Sequence, residues 1–176
     1  MKNEQYFFTK EFENWFVGTI VNFFQGKKIC CVCCPMIGAR LVEAGMDVKI
    51  LDIDRRFEKY EQFIYYDIKD PKYLDYEFDL IVCDPPFFNV SFTELLKAIK
   101  TLTHFTMYKS IFMTYLYRRE IKFLDMFADY DLYRIKDRPQ YKTLDVTDPK
   151  NDIRLYCNYL FPMDTVKKCE GCEQHS

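Results

Sequence analysis

From residue 28 onward, short apolar runs alternate with longer amphipathic stretches, the pattern of a sheet whose strands are joined by covering helices. Strands are predicted over 28–34, 48–52, 63–67, 78–84, 110–115, 131–135 and 153–160. After the first run Pro35 breaks the strand, and Ile37, Leu41 and Val42 recur near helical spacing until Gly45 ends the segment as a C-cap. Ser91 and Glu94 have capping-box spacing for a helix over 91–102, and 118–127 suits another. Residues 5–24 are aromatic-rich and amphipathic and predict a helix packed over the sheet. The expected class is α/β, in one domain over 1–161 with a flexible polar tail over 162–176. In such an open sheet ligands bind beyond the carboxyl ends of the strands, so Asp52, Asp67 and Asp84, each ending a predicted strand, should border one crevice.

Composition adds limits. A chain of 176 residues suits one domain and leaves no room for a second. A net charge of -2 gives no global reason to grip a phosphate backbone, although a local basic patch stays open. No apolar run approaches the roughly 20 residues that cross a bilayer, and the start Met1-Lys2-Asn3-Glu4-Gln5 lacks the apolar stretch of a secretory signal. A cytoplasmic protein without membrane contact is expected. Of eight cysteines, Cys30, Cys31, Cys33, Cys34 and Cys83 lie in apolar segments where a reduced thiol packs as a small hydrophobe. Cys30-x-x-Cys33 and Cys31-x-x-Cys34 have nominal metal spacing, but residues three apart on an extended strand point to opposite faces. Cys169-x-x-Cys172 with His175 is half a tetrahedral site, so no metal is expected.

The most specific signal is Asp84-Pro85-Pro86-Phe87 at the end of a buried strand. Two prolines remove two backbone donors and leave carbonyls free to accept from a ligand. An amine that attacks an electrophilic methyl group must have its hydrogens held so that its lone pair points at that group. Asp84 and the Pro85 carbonyl can accept those hydrogens, and Phe87 would form the wall. Its ring can stack on a planar base or lie against a lysine stem, so the motif does not choose between them. Asp52 is placed for ribose hydroxyls, as in dinucleotide-binding sheets, and Asp67 for an adenine amine or as a turn cap. Asp54 could compete with Asp52, although Arg55 and Arg56 beside it suit a solvated ion pair. The loop Cys34-Pro35-Met36-Ile37-Gly38 keeps one glycine where nucleotide sites carry several, which suits a phosphate-free cofactor such as S-adenosylmethionine.

These residues resemble a known family, the protein-lysine methyltransferases that modify translation elongation factor 1-alpha, relatives of N6-adenine methyltransferases. The resemblance covers roughly 5–159 and rests on blocks in the family's order: Gln5-Tyr6-Phe7-Phe8, Cys34-Pro35, Asp52-Ile53-Asp54-Arg55-Arg56-Phe57, Phe63-Ile64-Tyr65-Tyr66-Asp67, Asp84-Pro85-Pro86-Phe87 and Asn151-Asp152-Ile153-Arg154-Leu155-Tyr156-Cys157-Asn158-Tyr159. It implies a Rossmann-like, seven-stranded, mostly parallel methyltransferase sheet with helices on both faces. It further implies S-adenosylmethionine contacts at Gln5, Phe7, Cys34, Pro35, Asp52, Asp67 and Asp84, with the segment from Gln5 to Phe8 closing that pocket. Asp84, Pro85, Pro86 and Phe87 would bind the acceptor amine, a lysine of elongation factor 1-alpha. Asp52 departs from the family's usual Glu and Ile153 from its usual Phe. Asp52 instead matches a ribosomal-RNA adenine methyltransferase with the same core, which keeps RNA or DNA adenine as the alternative acceptor. Those RNA enzymes carry zinc-binding segments around the core, of which this chain has only the Cys169-x-x-Cys172 fragment. A non-catalytic scaffold on the same sheet is a third possibility, since fold does not imply function.

Overall fold

The computed structural model describes residues 7–145 and 147–162. Helix α1 (Lys10–Phe23) is capped by the Thr9 side chain, which accepts from the Phe12 amide, and buries Phe12, Phe16, Val17 and Ile20. Then follow β1 (Lys28–Val32), α2 (Pro35–Glu43), β2 (Asp47–Asp52), β3 (Phe63–Tyr65), β4 (Leu80–Cys83) and α3 (Phe92–Leu102). The chain continues through β5 (Ser110–Leu116), α4 (Glu120–Met126), β6 (Tyr133–Arg134) and β7 (Ile153–Cys157).

The seven strands form one sheet in the order β3-β2-β1-β4-β5-β7-β6. Its first five strands pair in parallel, while β7 pairs antiparallel with both β5 and β6. The order reverses between β1 and β4, so the carboxyl ends of these two strands open a crevice there. Helices cover both faces, as ring contacts along β5 show. Phe112 meets Phe16 of α1, whereas Tyr115, three residues on and therefore on the opposite face, meets Phe92 of α3 and stacks on Phe123 of α4. The expected fold class is the one observed.

Several boundaries differ from the sequence reading. The first strand ends at Val32 because Cys33 adopts a left-handed φ of 59°, so Cys33 and Cys34 belong to the turn that follows. Pro35 does not merely break that strand. It occupies the first turn of α2, where its missing N–H leaves no bond unmade. Because Cys34 has left the strand, its thiol turns toward the Val82 carbonyl of β4, to which it donates at 3.4 Å. Among the described residues no three His, Cys, Asp or Glu side chains gather as a metal site, and Cys169, Cys172 and His175 lie outside those residues. The six described cysteines are free thiols, and all but Cys33 are buried. No helix among the described residues is long and apolar enough to cross a membrane.

Gly45, at φ 79°, follows the C-cap of α2 in the left-handed conformation expected of it. The capping box of α3 is formed in both directions, Glu94 N–H to the Ser91 hydroxyl and Ser91 N–H to the Glu94 carboxylate.

Candidate active site

Burial of apolar strands leaves their carboxyl ends as the places where polar side chains can reach solvent. There a pocket of about 430 Å³ opens, within the range of small-molecule sites. It brings together Phe7, Cys34, Pro35, Asp52, Asp67, Asp84, Pro85, Pro86 and Phe87, all singled out from sequence. Gln5 lies outside the described residues.

Asp52 is the last residue of β2 and is buried, with its Oδ1 accepting the Asp54 amide at 2.8 Å. Burial pushes its carboxyl up to about 6, against the backbone donors of Asp54 and Ile53 that hold it down. Asp54 does not enter the pocket. It caps a 3-10 turn (Arg55–Lys59) and is paired with Arg56, the ion pair the sequence suggested, whereas Arg55 pairs with Glu58. Strand β3 stops at Tyr65, two residues short of Asp67, because the chain turns there: the Asp67 carboxylate accepts the Lys69 amide at 2.9 Å. Asp67 is thus both a turn residue and an exposed part of the pocket rim.

Asp84 follows β4 directly. Both of its side-chain bonds fall on Oδ1, from the Thr114 hydroxyl of β5 and from the Tyr141 hydroxyl at 2.8 Å. No donor among the described residues reaches Oδ2, which leaves that oxygen to the pocket that Asp84 lines. Burial pushes the carboxyl up to about 7, and the two hydroxyl donors oppose that rise. The prolines divide their work. The Pro86 carbonyl is taken by the Asn89 amide at 3.0 Å, closing a turn, while no donor among the described residues reaches the Pro85 carbonyl. Phe87 is buried edge-on against Tyr115 and walls this end of the pocket.

The N-terminal strap arrives from the other side. The Thr9 amide donates to the Gln140 carbonyl at 2.7 Å, the Lys142 amide donates to the Phe7 carbonyl at 2.8 Å, and the Phe8 ring lies 4.8 Å from that of Tyr141. Phe7 and Phe8 are thereby held against the pocket as part of its wall.

Thr114 and Tyr141, which bond Asp84, are site residues that sequence reasoning missed, as is Lys69 on the pocket rim. Thr114 had a signal, a hydroxyl 1% exposed in an otherwise apolar strand, which needs a buried partner. Tyr141 had none, because it stands in an irregular segment 57 residues from the acid it touches.

Known structures share this architecture. Magnesium protoporphyrin IX methyltransferase from Synechocystis PCC 6803, solved with bound SAM, superposes with a TM-score of 0.55 at 13% identity over 85% of this chain and 79% of that one. A TehB-like SAM-dependent methyltransferase from Corynebacterium glutamicum gives 0.56 at 16% identity, covering 89% and 87%. The ribosomal protein L11 methylase of Lactobacillus delbrueckii subsp. bulgaricus gives 0.51 at 14%, covering 86% and 80%. Such low identities show the fold alone. Comparison with curated protein sequences gives no match. The family model described as probable N6-adenine methyltransferase matches residues 1–160, nearly the whole chain, and the protein therefore belongs to that methyltransferase family.

Proposed function

We propose that this methyltransferase uses S-adenosylmethionine to methylate a lysine amine of a protein, with translation elongation factor 1-alpha as the expected substrate. The observation that carries the reading is the charge of the pocket. Asp52, Asp67 and Asp84 converge on it, and among the described residues Lys69 is the one basic side chain that lines it. Such a site attracts a sulfonium and an ammonium and repels phosphates.

The residues present fit the cofactor. Ionised Asp52 can accept from ribose hydroxyls, Asp67 from an adenine amine, and Phe7, Cys34 and Pro35 supply apolar walls. The loop after β1 carries Cys33 and Pro35 where a pyrophosphate would need glycines, and a phosphate-free ligand does not need that close approach. When bound, S-adenosylmethionine supplies an electrophilic methyl group.

This chain's own residues then handle the amine. Asp84 Oδ2 and the Pro85 carbonyl accept its hydrogens and fix its direction, and such orientation can supply roughly 7–11 kcal/mol of a barrier. Phe87 excludes water from this end, which favours the neutral form of a lysine. Ionised Asp84 also sets a carboxylate beside the nitrogen, where it stabilises the positive charge that grows there as the methyl arrives.

The description of the matching family favours a second reading, adenine N6 in RNA or DNA. That amine is already neutral and would use the same two acceptors. Incubation with methyl-labelled cofactor and either elongation factor 1-alpha or total RNA separates them. Label in the factor that disappears when its acceptor lysine is replaced by Arg supports the first reading, and label in RNA alone overturns it.

A further inference from the structure

We infer that Tyr141 is a positioning residue for the acceptor amine: held by the N-terminal strap, it clamps Oδ1 of Asp84 together with Thr114 and so dedicates Oδ2 to the substrate. The inference rests on the reading of Asp84 as the group that faces the acceptor.

A carboxylate at the end of a strand can rotate about its Cβ–Cγ bond, and rotation would exchange its two oxygens. Two hydroxyl donors arriving from different elements at the same oxygen prevent this, since each can be satisfied only while Oδ1 stays in place. Thr114 is fixed by the sheet, between the pairs Met113 with Tyr156 and Tyr115 with Arg154. Tyr141 has no regular strand to fix it beyond its single bridge to Phe8. Its position comes from the two strap bonds flanking that bridge and from the Phe8 ring, itself 4% exposed and packed on Phe12. Phe7 and Phe8 also line the pocket, so the segment that walls the cofactor side sets the carboxylate that faces the acceptor. The two halves of the site are joined through one phenol.

The surroundings of Asp84 leave few other groups to do this. Thr114 and Tyr141 bond it, the Cys33, Cys34 and Cys83 thiols lie near it, and Asp52, Asp67 and Lys69 stand around the same pocket. The thiols are themselves pushed up by burial and stay neutral, so the two hydroxyls are the donors that favour its ionised form.

The test is a titration of the whole protein carrying ¹³C-labelled aspartate carboxyls, with the Asp84 signal assigned through Asp84→Asn. Tyr141→Phe keeps the ring and removes only the donor. It should move the Asp84 midpoint upward by about one pH unit. Phe8→Leu, which keeps an apolar plug but releases the ring contact, should move it the same way by less. In single turnover, Tyr141→Phe should lower the rate about tenfold near neutral pH with cofactor affinity unchanged, and recover much of that loss above pH 8. An Asp84 midpoint unmoved by Tyr141→Phe overturns the inference, and one moved by Tyr141→Phe but not by Phe8→Leu overturns the part assigned to the strap. Full turnover by Asp84→Asn would instead overturn the reading of Asp84 itself.

Discussion

Gly38 of α2 lies so close to Ile50 of β2 that a Cβ on it would stand 2.8 Å from the Ile50 Cγ1 and 3.2 Å from the Cys31 Cβ. Both neighbours are fully buried sheet residues with no free direction in which to move. Gly38→Ala gains helix propensity of about 1 kcal/mol, but forcing a methyl into a filled interface costs about 1–3 kcal/mol. A net loss is expected, seen as a Tm lower by a few degrees. Because α2 begins at Pro35 on the pocket, weaker cofactor binding should accompany it. A Tm equal to or above that of the parent would show that the sheet yields here.

Stability should fall as pH rises from about 4 to about 7. Asp84, raised to about 7, and Asp52, raised to about 6, each hold their protons more tightly in the folded chain than in the unfolded one. The folded state therefore binds more protons between the unfolded and folded pKa values, and stability drains away across that window as the two groups are forced to ionise in a buried place. Denaturant unfolding at pH 5 and pH 8 checks this. Asp84→Asn should remove about 2 kcal/mol of the difference and be the more stable protein at pH 8. An identical pH dependence in parent and variant would contradict the burial argument.

The outline of the sheet was legible because a buried parallel strand reads as a near-continuous apolar run, and polar Asp52, the last residue of β2, and Asp84, the first after β4, mark where two such runs stop. Ends of elements were less legible. Nothing in the composition of 28–34 reveals that Cys33 turns left-handed, and the sequence predicts a strand through 34 where the chain has already left β1 for the turn into α2. β6, predicted over 131–135, is only Tyr133–Arg134, since Asp131 is itself left-handed and follows a short 3-10 turn. The site divides along the same line. Its acids follow from local pattern, whereas the Tyr141 clamp depends on a long-range crossing of two irregular segments, for which no periodicity exists.

Cofactor affinity should depend on Asp52 and on its ionisation. Asp52→Ala removes a charged acceptor for a ribose hydroxyl, a bond of about 1.5–3 kcal/mol, so calorimetry should show binding weaker by roughly tenfold to a hundredfold. With the Asp52 carboxyl at about 6, affinity in the parent should also decline below pH 6 and do so less in the variant. Unchanged affinity at neutral pH would remove Asp52 from the cofactor site.

Asp84→Asn should bind S-adenosylmethionine nearly as well as the parent and turn over far more slowly, because in the proposed reading Oδ2 serves the acceptor rather than the cofactor. Asparagine keeps one carbonyl oxygen for Thr114 and Tyr141, so the clamp survives while the free position becomes an NH2, which donates where the amine needs an acceptor. As the methyl arrives, positive charge grows on the amine nitrogen, and a carboxylate stabilises it where an amide does not. The loss expected from such a change is about 10²–10³ in single-turnover rate, and turnover as fast as the parent would exclude the role. The pH profile then distinguishes the acceptors. In the parent either substrate should show a limb rising through about 7 as Asp84 ionises. A lysine, with an ordinary pKa of about 10.4, adds a further climb at alkaline pH until the bound amine is neutral, whereas adenine, neutral throughout, reaches a plateau. A rate that is flat above pH 8 with a protein substrate would mean that the pocket has already neutralised the bound lysine, which the amine's pKa, measured in the complex, should then show directly.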